Sequence, residues 1–168
     1  MENYTEPKSQ NLMYALIYGL LSALVLYLLQ KLSIETPGIS TLLHFGIATL
    51  CILIPVNQYK ISNGNQLTLG NSIKIGFLIG LIGGLIYAVY VFFHYDIINP
   101  DFVAERLAIA KEEMQKQSTQ MTEEQMDQAL MFSEMFMHPA VFSIMAFIGA
   151  LLETLIVSLV VGLIKKSN

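Results

Sequence analysis

The sequence predicts an all-α fold: a four-helix transmembrane bundle with an extracytoplasmic helical insertion between the third and fourth spans. Three observations carry that prediction. Of the 168 residues, 54% are hydrophobic and 13% charged, about half the charge of an average soluble domain. Four apolar stretches, at about 12–30, 41–56, 73–94 and 140–164, come near the length that a bilayer demands of a helix. The one long polar stretch, 96–138, keeps apolar residues at helical spacing. The chain is expected to form one integral membrane domain over residues 1–168.

Composition also excludes function classes. A net charge of −4 with scattered basic residues offers no cluster of Lys and Arg for nucleic-acid phosphates. One cysteine, Cys51, lies in an apolar run, so neither a disulfide framework nor a thiolate metal cluster is expected. Trp is absent and Tyr occurs eight times, so tyrosines would supply any interfacial aromatic belt.

The first apolar run, Leu12–Leu29, is closed by Lys31 and carries small residues at Gly19, Ser22 and Ala23. It lacks a basic leader and a small-residue cleavage site, so it is read as an anchor and not a signal peptide. Residues Ser33–Ser40, broken by Pro37-Gly38, are expected to form a tight hairpin. The second span, from about Thr41 to Val56, is short, with His44 near its start and Pro55 near its end. A polar loop, Tyr59–Asn71, follows, with Asn63-Gly64 as a turn signal. Asn71 or Ser72 is expected to cap the third span.

The third span organises the rest. From Ile75 to Phe93 it holds no charge, and Gly76, Gly80 and Gly84 are spaced by four with Gly83 beside them. On a helix that spacing makes a smooth stripe, against which another backbone can approach closely. Its expected neighbour is the fourth span, through Ala146, Gly149 and Glu153.

The polar segment begins at Asp96. Asn99 is placed as an N-cap with Pro100 at the first helical position, and Ile98 and Val103 as a staple across it. Gln117–Gln120 interrupts the helical pattern. Thr122 and Gln125 then make a capping box, with Met121 and Met126 as its staple. The segment is therefore read as two short amphipathic helices. Pro139 opens the fourth span, which Lys165-Lys166 closes.

Orientation follows from Lys and Arg in the loops. Lys8, Lys60, Lys74, Lys165 and Lys166 share one side, against Lys31, Arg106, Lys111 and Lys116 on the other. Both termini are thus expected in the cytoplasm and the acidic segment outside.

The run NSIKIGFLIGLIGGLIYAVYVFFHYDIINPDFVAE resembles a family of small bacterial membrane proteins known as domain-of-unknown-function family 4199. Four features carry the resemblance: the start Lys74–Phe77, the shoulder Ile98–Phe102, the restart Met121–Glu124 and the final span Ala140–Lys166. It covers most of residues 10–166 and implies a location in the bacterial inner membrane. It implies no activity, since none is assigned to the family.

Among candidate sites, Glu153 is the sharpest. It falls near the middle of the fourth span, where an acid costs on the order of 2.5–3.5 kcal/mol. No intramembrane Lys or Arg is available to it, which favours the neutral acid, hydrogen-bonded to Ser or Thr on a neighbouring helix, over a position nearer the headgroups. A proton-carrying or cation-binding role is the alternative. His44, His94 and His138 are expected at one membrane face. With Glu134 four residues before it, His138 suggests a weak metal site shared with His94. Six methionines between Met114 and Met137 could add soft thioether ligands, although Met at helical spacing more often fills apolar contacts. Apart from that weak candidate, no metal and no cofactor is expected. No nucleophile elbow, zinc-protease motif or phosphate loop is present, and an enzyme is not expected.

The function these readings point to is a non-enzymatic accessory or assembly subunit of unassigned role, acting through helix packing and its acidic segment. The alternative is a proton-coupled small transporter or channel-like homo-oligomer using Glu153. The expected surroundings are the lipid bilayer, with a second copy or another membrane protein as partner. Any small-molecule substrate is left open.

Overall fold

The computed structural model describes residues 8–34, 36–116 and 122–167. Among these there are helices and no strands. They are α1 (Lys8–Lys31), α2 (Pro37–Ser62), α3 (Leu69–Phe93), α4 (Pro100–Lys116), α5 (Glu123–Phe136) and α6 (Pro139–Lys165), with one π-helical turn, His94–Ile98, after α3. Four segments are long and apolar enough to cross a membrane: Gln10–Lys31, Gly38–Ser62, Leu69–Ile98 and Pro139–Lys165. The chain divides into two compact units, Met1–Tyr87 with Ala146–Asn168, and Ala88–Met145.

In the first unit the inward faces are built from small residues. Gly76 and Gly80 of α3 meet Ser158 and Thr154 of α6, so closely that an added Cβ would overlap their side chains. Gly84 meets Ala150 and Phe147. The same α3 meets α1 on another side, where Gly83 lies against Ala15 and Tyr18, and Gly19 against the Gly83 carbonyl. Gly162 of α6 makes the matching approach to Ser72, whose hydroxyl donates to the Ser158 carbonyl at 2.7 Å. Ala48, Cys51, Ile52 and Val56 bring α2 into the core. Leu20, Leu50, Leu85, Leu152 and Ile156 are exposed. This partition suits a bilayer, in which lipid solvates Leu as well as a core does and tight helix contact needs small side chains.

Several boundaries differ from those expected. α2 does not stop near Val56; it runs through Pro55 to Ser62. Packed neighbours and local adjustment can offset the missing proline donor in an apolar helix. Pro37 is the first residue of α2 and not a break in the hairpin, because proline suits the first helical turn, where its missing N–H has no partner to lose. Neither Asn71 nor Ser72 caps α3. Thr68 does, its Oγ1 accepting the Asn71 N–H at 3.2 Å, and Ser72 is spent on α6 instead. The expected turn at Asn63-Gly64 is present, with left-handed φ of 59° at Gly64 and 64° at Asn65.

A clamp follows α6. The Ser167 amide donates to the Leu67 carbonyl at 3.0 Å, the Leu67 amide to Ser167 Oγ at 3.1 Å, and Ser167 Oγ to the Asn65 carbonyl at 2.7 Å. Lys60 Nζ donates to the Lys165 carbonyl at 2.8 Å. The last turn of α6 and the loop after α2 are thereby tied together.

The second unit holds the end of α3, the π turn, α4, α5 and the start of α6. The π turn is closed by the Asn99 amide donating to the His94 carbonyl at 2.7 Å, the widened ring of an i→i−5 bond. The Tyr95 ring packs on Phe102 and Phe142, at 5.1 and 5.0 Å between centroids. Lys111 and Glu134 pair across α4 and α5 at 3.4 Å. The Thr122–Gln125 capping box forms in both directions. Gln117–Gln120 and Met121, with its staple to Met126, lie outside the described residues.

Candidate functional site

The carboxyl of Glu153 is the chemically distinctive group of the first unit. α6 buries Ala150, Thr154, Val157, Ser158, Val161 and Gly162, a 3.6-residue repeat facing its neighbours. Glu153 flanks that face and is half-buried. What reaches it comes from α1. Tyr18 is fully buried, and its ring lies over Gly83, where a Cβ would come within 2.7 Å of Tyr18 Cδ1. The glycine thus makes room for the ring, and the ring delivers its hydroxyl to Glu153 Oε2 at 3.1 Å.

The second carboxyl oxygen, Oε1, is buried and has no hydrogen-bond partner among the described residues. A buried polar atom left so costs about 1–3 kcal/mol. The carboxyl stands on the wall of an open-sided recess of about 380 Å³. Tyr18, Ser40, Thr41, His44, Phe45 and Tyr87 line it from α1, α2 and α3, and Ala146, Gly149, Ala150, Leu152 and Ile156 from α6. His44 and Tyr87 stack obliquely there, with 5.2 Å between ring centroids. A carboxyl with one oxygen bonded and one bare can take up a proton or pair with a cation. Phe45, Tyr87 and His44 add aromatic rings to the lining, and rings of this kind attract cations.

The sequence-based candidates fall in three places. Gly76, Gly80, Gly83 and Gly84 lie at helix contacts, the first, second and fourth against α6 and Gly83 against α1. Gly149 is a correction. An added Cβ there would meet nothing within 4 Å, and the residue lines the recess. The turn of about 100° per residue puts Ala150 on the packed face and leaves Gly149 beside it. Glu153 likewise faces the recess and Tyr18, where an approach to the glycine stripe was expected.

The weak metal candidates have separate occupations in the second unit. His94 is buried, with Nδ1 3.0 Å from the Tyr90 hydroxyl. Glu134 pairs with Lys111. His138 Nδ1 accepts the Ala140 amide at 3.2 Å, capping α6. Among the described residues no group of three or more His, Cys, Asp and Glu gathers as a metal site.

Tyr18 and Tyr87 are the functional-site residues that sequence reasoning missed. A signal for Tyr18 did exist. Ala15, Gly19 and Ser22 stand three before, one after and four after it, so this aromatic shares the small-residue face of α1 and had to point inward.

Residues 13–167 match the family described as "Protein of unknown function (DUF4199)". Neither the curated proteins nor the solved structures contain a match to this chain.

Proposed function

The chain belongs to that family, and we propose that it works as a small multi-pass carrier in which Glu153 exchanges a proton for a cation. The observation that supports this reading is the half-bonded carboxyl: Oε2 held by Tyr18, Oε1 buried and bare, on the wall of a recess. A carboxyl kept for packing alone would gain by having both oxygens satisfied, given the cost of an acid at this depth. Four spans are few for a pathway within one chain, so the carrier works as a homo-oligomer. It sits in the bacterial inner membrane with both termini cytoplasmic and α4–α5 outside, as the Lys and Arg of the loops favour. It catalyses no covalent chemistry.

The test is dissipation of an imposed pH gradient, acid inside, in liposomes holding the purified protein. Sodium, potassium or tetramethylammonium is added outside. The expected result is a cation-dependent loss of the gradient with the native protein that Glu153→Gln abolishes. No dissipation by the native protein, or equal dissipation by Glu153→Gln, overturns the reading.

One observation favours the second reading, an accessory or assembly subunit. Met131, Phe132, Met135 and Phe136 of α5 are all exposed, in a segment otherwise rich in acids. That surface suits a membrane-protein partner. It predicts that deleting residues 101–137 removes the cellular phenotype while Glu153→Gln leaves it intact.

A further inference from the structure

We infer that the recess beside Glu153 takes a small hydrophobic organic cation, an amine or quaternary ammonium whose head pairs with the carboxyl and whose body lies among the aromatic rings. This rests on reading Glu153 as the working group, and it names the class of cation.

Charge sets the sign of the ligand. Among the described lining residues Glu153 is the sole acid, and neither Lys nor Arg is present. Oε1 is buried and has no hydrogen-bond partner among the described residues; a turn of the carboxyl toward the recess gives a cationic head an acceptor that no protein group already uses. The rest of the lining suits an organic cation better than a bare hard metal ion. Such an ion asks for six or more oxygens, and no group of three or more His, Cys, Asp and Glu gathers among the described residues. Beside the hydroxyl-bearing Ser40 and Thr41 the recess offers rings: Phe45 and Tyr87, with His44 stacked on Tyr87. Ring faces attract organic cations, whose charge is spread over alkyl groups and weakly hydrated.

The rim decides the rest of the ligand. Leu152 and Ile156 are each 54% exposed and Phe45 39%, on segments apolar enough to lie in hydrocarbon. The mouth of the recess is therefore apolar, and a ligand that enters it needs an apolar body. At about 380 Å³ the space lies toward the small end of ligand sites, which admits one ring or a short chain beside the head.

The experiment uses two probes of nearly identical shape, benzyltrimethylammonium and its neutral isostere neopentylbenzene. Binding to the full chain in nonionic detergent is followed by intrinsic tyrosine fluorescence. The cation is expected to bind the native protein about tenfold or more tighter than the isostere. Glu153→Gln should bring the two to within about twofold, and Glu153→Asp should keep the preference. Gly149→Leu places a side chain in the recess from a position with open space around it, and should weaken both probes while the melting temperature holds. Equal affinity of the two probes for native protein overturns the inference, as does an undiminished preference in a folded Glu153→Gln. If Glu153→Gln does not fold, the native comparison and Gly149→Leu decide, and full affinity in Gly149→Leu overturns it. The inference and the carrier reading fail separately. Cation-selective binding without pH-coupled flux keeps the site and removes the carrier. Flux without benzyltrimethylammonium binding keeps the carrier and overturns the inference.

Discussion

Glycines of equal standing in the sequence are unequal in the fold. At Gly83 a methyl group would meet the Ala15 carbonyl oxygen at 2.5 Å and the Tyr18 ring at 2.7 Å. The carbonyl belongs to a helix backbone and has little room to yield. Gly83→Ala is therefore expected to cost about 1–3 kcal/mol and to lower the melting temperature in detergent. Gly149→Ala, with nothing within 4 Å, should leave the melting temperature unchanged. Equal losses in the two variants would overturn this account of the stripe. Tyr18→Phe removes the hydroxyl that holds Glu153 Oε2 and keeps the ring that fills the space over Gly83. It should leave the melting temperature within a few degrees and alter the pH-gradient assay. A change in stability alone would mean that the hydroxyl serves packing only.

Elements are held at their ends by polar contacts, because an apolar interior offers few other partners for backbone groups. Ser167 uses both its amide and its hydroxyl on the loop after α2. Ser167→Ala removes the two hydroxyl bonds, worth about 0.5–1.5 kcal/mol each. The Leu67 amide should then exchange with solvent deuterium several-fold faster, and an unchanged rate counts against the clamp. In the second unit Thr122→Ala removes one half of a capping box, which costs about 1 kcal/mol. Exchange should speed up in the first turn of α5 and stay as it was in α4. The Lys111–Glu134 pair is roughly half exposed on both sides and worth little by itself.

For the whole molecule, the proposed topology of four spans puts residues 112 and 168 on opposite sides. Single cysteines at Asn168 and at Glu112, in a Cys51→Ser background, should label oppositely with a membrane-impermeant maleimide. The expected pattern in intact cells is labelling at residue 112 and none at residue 168. Labelling at 168 alone would invert the proposed orientation. Deleting residues 101–137 tests the other large feature, the α4–α5 segment, by its effect on the cellular phenotype.

The sequence by itself determined the four spans, because hydrocarbon admits only long apolar helices, and length with composition reports them directly. It also determined the helical character of Pro100–Lys116 and Glu123–Phe136, through Asn99-Pro100 and the Thr122–Gln125 box, since caps are local interactions. Glu153 stood out for the same reason: its cost depends on depth, which the sequence shows. The tertiary structure alone decided which side chains meet across the helices, beyond the small-residue faces of α1 and α3. Lipid-facing and core-facing positions are equally apolar here, so hydropathy carries no direction, and only residue size separates Gly80 from Leu81. Direction is what removed Gly149 from the packed face, brought Tyr18 to Glu153 and placed His44 beside Tyr87. Those contacts join helices far apart in sequence: α1 to α6 through Tyr18 and Glu153, at a separation of 135, and α2 to α3 through His44 and Tyr87. No local pattern encodes such a meeting; it arises when the small faces of four helices have closed on one another.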